Sequence, residues 1–195
     1  SQHNRKIDPD NVYLWHYNPR RMETEVIRDS ILYLAGELDL TMGGKEIESK
    51  DAEKSKRRSL YFSRHPEAGG TTVFMSQFAA PDPCDCYRRS DSIVPQQALA
   101  LTNSDLLLEQ SKLLFSKLSG ESSLESEDEF VIAAYEQILS RSPSAEEQKL
   151  CRQFLNRQRT LYQETGTQEA AQTNHDAQRA LDSLIRVLFN HNDFV

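Results

Sequence analysis

The chain has no excess of positive charge, no long apolar run, no even set of cysteines and no internal repeat. Each absence narrows what it can be. Lys and Arg number 23 against 30 Asp and Glu, a formal charge of −7. Phosphate binding needs a concentrated basic face, so no nucleic-acid partner is expected. The one basic run, Lys54 to Arg58, sits in a polar stretch and reads as a solvated loop. No segment approaches the ~20 apolar residues of a membrane-spanning helix, so no membrane span is expected. No signal-peptide pattern opens the chain. The start, SQHNRKIDPDN, reads as a cut made inside a longer protein. Cys84, Cys86 and Cys151 leave one thiol over whichever pair forms, and a Cys84–Cys86 disulfide would close a small, strained ring. Cys151 lies among Leu150, Phe154 and Leu155 at helical spacing, where it reads as a small buried hydrophobe.

What is there is helical. Apolar residues make up 37% of the 195 positions, a low fraction, but they gather in periodic blocks sufficient for one core. The sequence predicts a single all-α domain over 1–195, an orthogonal bundle of several helices with one short extended pair at most. Residues 40–58 and 120–128 are expected as solvated loops. Residues 1–17, which carry Val12, Tyr13, Leu14, Trp15 and Tyr17, read as a short helix or an extended arm docking its aromatics. Asn18-Pro19 predicts the start of a helix that stops at Gly36. This helix is apolar on several sides: Met22, Val26 and Tyr33 on one, Ile27, Ile31 and Leu34 on another, and Leu32 on a third, shared with Arg21, Glu25 and Arg28. Such a helix is expected to be surrounded, with its charged sector paired inside the fold.

Further along, Ser59–Ser63 reads as a short strand or extended segment, and Thr71–Phe78 as one helical turn or a strand. PQQALALTN predicts a short helix from Pro95, and a second follows Ser104 with Leu107, Leu114 and Leu118 on one stripe. A helix over 130–140 carries Phe130, Ala134 and Ile138. Ser144 and Glu147 form a capping box that starts another, running to about Glu164. The last helix is expected over Asp176–Phe189, with Phe194 docking back.

The polar centre of the chain is Pro81–Asp105, PDPCDCYRRSDSIVPQQALALTNSD. Asp82, Cys84, Asp85 and Cys86 carry metal-binding donors, but thiolate zinc sites draw on two separated knuckles and no second one exists here. No metal site is therefore expected, and the segment reads as a proline-punctuated turn. A redox role for the Cys-x-Cys would draw on Arg88 and Arg89 to lower a thiol pKa, without the strand–helix context such motifs have. Glu25 and Asp29, one turn apart, have the spacing of an acid/base pair of the kind glycan hydrolases use; Arg21 and Arg28 beside them favour ion pairing instead. The polar network is expected to join Arg21, Glu25, Arg28 and Asp29 of the Pro19 helix to Asp82, Cys84, Arg88 and Arg89 of the turn.

Ordered blocks along the chain resemble a known family. They are Asn18-Pro19-Arg20-Arg21-Met22-Glu23, Glu25-Val26-Ile27-Arg28-Asp29, Met42-Gly43-Gly44, Arg58-Ser59-Leu60-Tyr61, Ala80-Pro81-Asp82 with Cys84 and Arg88-Arg89, Val94 to Asn103, Leu139 to Pro143, and Leu188 to Phe194. Together they resemble the planctomycete-type C-terminal domain of unknown function found in large proteins with cytochrome-c-like modules. The resemblance covers nearly the whole chain; Cys86 departs from it. It implies export to a periplasmic or other extracytoplasmic compartment and a multidomain parent, and it implies no reaction. The chain lacks Cys-x-x-Cys-His, so no cofactor is expected in it and haem would belong elsewhere in the parent. The functional expectation is a non-catalytic interaction or scaffolding domain that contacts other domains of its parent, protein or polysaccharide. The alternative is a hydrolase or oxidoreductase site where the Arg21–Asp29 stripe meets the Asp82–Arg89 turn.

Overall fold

The computed structural model describes residues 2–17, 21–64, 72–78, 95–121, 126–165 and 172–194. These residues form α1 (Gln2–Ile7), α2 (Thr24–Ala35), α3 (Ser49–Ala52), α4 (Val73–Ser76), α5 (Pro95–Asn103), α6 (Asp105–Glu121), α7 (Glu127–Leu139), α8 (Ala145–Thr165) and α9 (Gln172–Phe189). The class is all-α. Among the described residues no strand forms, only two isolated parallel bridges, Asp39 with Arg57 and Ile47 with Phe62.

The main core is built on α9, which packs on α5, α6, α7 and α8. Its buried residues, Ala180, Leu184, Ile185, Leu188 and Phe189, recur at the three- and four-residue steps that put side chains on one helix face. Each large one stabilises the fold by roughly 1.5–3 kcal/mol through burial. The predicted stripes hold on the neighbours: Leu107, Leu114 and Leu118 of α6, and Phe130, Ala134 and Ile138 of α7, are all buried. Phe194 docks onto Phe189 edge-to-face, ring centres 5.0 Å apart. Cys151 is buried and directs its thiol to the Tyr135 hydroxyl at 3.8 Å. Burial raises its pKa, so the thiol stays protonated and apolar, as expected of it.

Element boundaries follow local chemistry. The Ser144–Glu147 box is reciprocal: Glu147 accepts from the Ser144 N–H at 2.7 Å, and Ser144 Oγ accepts from the Glu147 N–H at 3.3 Å. A second box, Ser126 with Glu129, starts α7 earlier than the apolar pattern predicts. Helix α9 likewise begins at Gln172, ahead of the expected Asp176. Gly36 stops α2 in the left-handed region at φ 82°, where glycine carries no Cβ penalty.

Two expectations are corrected and a third is met in part. Helix α2 begins at Thr24 rather than Pro19; Asn18 and Pro19 lie outside the described residues. Ser59–Tyr61 is a 3₁₀ turn rather than a strand. Within residues 1–17 a short helix does form, α1, but of the residues named after it only Trp15 is part-buried, donating to the Asp8 carbonyl at 3.0 Å, while Val12, Tyr13, Leu14 and Tyr17 are 72–83% exposed.

Candidate functional site

Between α2 and α4 the chain makes an excursion over 37–64 that was expected to be largely solvated loop. Many of its side chains are exposed, but it is tied down along its length. Asp39 N–H donates to the Lys56 carbonyl at 2.9 Å, Ile47 N–H to the Tyr61 carbonyl at 2.7 Å, and Ser63 N–H to the Ile47 carbonyl at 2.8 Å. Ala52 and Phe62 join Met75 in a small second core, and Phe74 packs against both cores. Gly43 and Gly44 turn the chain at φ 79° and 92°. There the Arg57 guanidinium donates to the carbonyls of Gly43 and Thr41 at 2.5 and 3.1 Å and lies 4.0 Å from the Tyr61 ring centre.

One buried arginine fastens this excursion to α2. Arg28, 3% exposed, donates to the Arg57 carbonyl at 3.1 Å, to Ser59 Oγ at 3.2 Å, to Asp29 at 3.2 Å and to the Ser55 carbonyl. Its guanidinium carbon lies 4.6 Å from the Phe62 ring centre. Burial pulls the Arg28 pKa down, and Asp29 opposes that by favouring the charged form. Asp29 in turn accepts from the Ser59 N–H at 3.0 Å and the Ser59 hydroxyl at 2.7 Å. One turn earlier, Glu25 pairs with Arg64 at 2.8 Å. Arg21 reaches Gln97 of α5 at 2.8 Å.

Among the described residues the polar stripe thus finds partners: Arg28 and Asp29 bond to one another and to residues 55–59, Glu25 to Arg64 and Arg21 to Gln97. The expected meeting with the 81–91 turn falls on residues outside those described. Asp82, Cys84, Arg88 and Arg89 lie outside the described residues, as do Asp85 and Cys86. Ser55, Arg57 and Ser59 were missed as partners of Arg28 because two carbonyls and a serine hydroxyl leave no mark in a charge pattern, and Arg64 was missed as the partner of Glu25. Arg64 alone carried a signal, as a cation available to Glu25.

The excursion walls an open groove of about 690 Å³ against α2. Its apolar lining includes Val26, Tyr33, Leu40 and Leu60, exposed by 46%, 61%, 59% and 71%. Glu23, Glu25, Asp29, Arg58 and Arg64 supply its charge. Here the expectation that α2 is surrounded is corrected: Ile27, Ile31 and Leu32 are buried, but the Val26–Tyr33 side stays open and forms the groove's wall. Glu25 and Asp29 each face a partner across the groove wall rather than each other, an arrangement of ion pairs and hydrogen bonds around an apolar trough.

Among the described residues no group of three or more His, Cys, Asp or Glu side chains is placed to hold a metal ion, and no helix is long and apolar enough to cross a membrane. In comparisons with known proteins, the family model described as PSD1, protein of unknown function (DUF1553), matches residues 1–155. No curated protein and no solved structure matches the chain. The matched span ends inside α8, whereas the core continues through α9 to Phe194.

Proposed function

The chain belongs to the PSD1 family of unknown function (DUF1553), and on that premise we propose that it is a non-catalytic interaction domain that docks an extended, amphipathic polypeptide in the groove between α2 and residues 58–64. The observation that carries this reading is the open apolar side of α2. Val26 and Tyr33 sit on a helix whose other faces are buried, and with Leu40 and Leu60 they leave a contiguous apolar trough exposed. Exposed apolar patches rimmed by polar groups mark interaction surfaces, and the groove's volume falls in the range of ligand sites, roughly 300–1,000 Å³. The Arg28–Asp29–Ser59 network supports binding over turnover, because it spends both charges on holding the groove's walls together.

The family resemblance extends the proposal. The natural occupant would be another domain of an exported, multidomain parent with haem-bearing modules, with a polysaccharide as the alternative ligand class. The alternative of a hydrolase or oxidoreductase site places its second half on Asp82–Arg89, outside the described residues.

Selection of a displayed random-peptide library on the purified chain tests the reading. Peptides that mix apolar and charged residues should be enriched, and Leu60→Asp should weaken them by about tenfold or more, the loss of one well-packed contact. Failure to enrich any peptide, or binding indifferent to Leu60→Asp, would contradict it.

A further inference from the structure

We infer that the groove's occupant carries a carboxylate, an Asp or Glu set among apolar residues, and that Arg58 is the residue that selects it. This rests on the groove being a docking surface. The chain's one basic run, Lys54 to Arg58, divides its cations between separate tasks. Lys56 pairs with Glu37. Arg57 turns its guanidinium to the carbonyls of Thr41 and Gly43 and over the Tyr61 ring. Lys54 is exposed and lies outside the groove's lining. Arg58 alone of the run lines the groove, exposed and with no side-chain partner among the described residues.

The other charges at the groove are already engaged. Glu25 pairs with Arg64 at 2.8 Å. Asp29 accepts from Arg28 and from the N–H and hydroxyl of Ser59. Glu23 also has an interaction within the chain. Among the described residues, Arg58 is therefore the one charge in the lining that a ligand meets without displacing a native partner.

The backbone under Arg58 is fixed on both sides. The Arg57 carbonyl accepts from Arg28 at 3.1 Å, the Arg58 carbonyl accepts from the Tyr61 N–H at 3.1 Å, and the Ser59 N–H donates to Asp29 at 3.0 Å. Pairing therefore orders the arginine side chain and not the turn that carries it, which lowers the entropic cost of binding. Guanidinium and carboxylate match in shape, two parallel N–H groups against two oxygens. The charge that fits is a single one. Glu23, Glu25 and Asp29 share the lining with Arg58, and they would repel the charge of about −2 on a phosphate group more than that of one carboxylate. Exposed Val26, Tyr33 and Leu60 call for apolar residues beside it.

Fluorescence anisotropy tests this with a labelled peptide from the library selection and with the same peptide carrying Gln for Glu, or Asn for Asp. Wild type should bind the acidic peptide about tenfold more tightly than its amide counterpart, the scale of a hydrogen-bonded charge pair. Arg58→Gln should bind the two alike while melting as wild type does, because the side chain is exposed. Lys54→Gln should keep the full preference. Arg58→Glu should prefer a counterpart with Lys in place of the acidic residue. Enriched peptides without Asp or Glu overturn the inference, as does a preference that survives Arg58→Gln. A preference lost equally in Lys54→Gln also overturns it, since that would mean diffuse attraction to the basic run. None of these three results touches groove docking, which stands as long as Leu60→Asp weakens the peptides. A selection that enriches nothing overturns both.

Discussion

The α5–α9 bundle and the 37–64 excursion are held together by different physics. In the bundle, Ile185, Leu188 and Phe189 are fully or almost fully buried, and the stabilisation is spread over many apolar contacts. In the excursion, between Gly36 and Arg64, only Ala52 and Phe62 are buried apolar residues. Its attachment to α2 rests on Arg28, Asp29 and Ser59. In a bundle of the first kind each atom contact is small, and only truncating a whole buried side chain, which removes many at once, is felt strongly. The second kind concentrates its stability in a few buried polar groups, each of which strands its partners when removed. The excursion is also the region that walls the groove, as expected where function draws on less heavily stabilised parts of a fold.

The largest expected effect lies in the bundle. Phe189→Ala should cost about 3–5 kcal/mol of global stability through lost burial and the cavity left behind. Urea denaturation should show one transition moved to lower denaturant. A loss under about 1 kcal/mol would mean that α9 is not the centre of the core. Arg28→Ala comes next, costing roughly 2–4 kcal/mol because it leaves the Ser55 and Arg57 carbonyls and Asp29 short of a donor. Lys54→Ala, at an exposed position in the same excursion, should stay within about 0.5 kcal/mol.

The smallest effect is electrostatic and belongs to the bundle's edge. Arg141 and the Ser144 N–H hold Glu147 at a pKa of about 2, below an ordinary glutamate's value of about 4.3. The folded state therefore binds this proton less readily than the unfolded chain. The stabilisation is complete above about pH 4.5 and is lost as pH falls toward 2. Glu147→Gln keeps a residue able to close the capping box but removes the charge. Its melting temperature should lie below wild type at pH 7, and the gap should close between pH 4.5 and 2. A gap independent of pH would show that the Arg141 pairing contributes nothing.

Legibility divides along the same line. The bundle could be read because Leu107, Leu114 and Leu118, or Phe130, Ala134 and Ile138, repeat at the period of a helix, and because Ser144-x-x-Glu147 is a local signal. The Ser126-x-x-Glu129 box was equally present in the sequence and was passed over inside an acidic run. The excursion was opaque because its contacts are non-local and use backbone. That Arg28 would be paired followed from its neighbours on α2; that its partners are the carbonyls of Ser55 and Arg57 did not. The apolar faces of α2 were legible as well, but periodicity does not say which face the fold leaves open, and the Val26–Tyr33 side became groove.

Hydrogen exchange of Arg28→Ala beside Lys54→Ala tests the central claim most directly, that one buried guanidinium fastens the groove-forming excursion to a core that stands without it. In Arg28→Ala the amides of Asp39, Ile47, Ser59 and Ser63, bonded in the native chain, should lose protection. The amides of α6–α9 should keep most of theirs, and Lys54→Ala should match wild type throughout. Protection lost equally across the bundle and the excursion, or unchanged at those four amides, would contradict it.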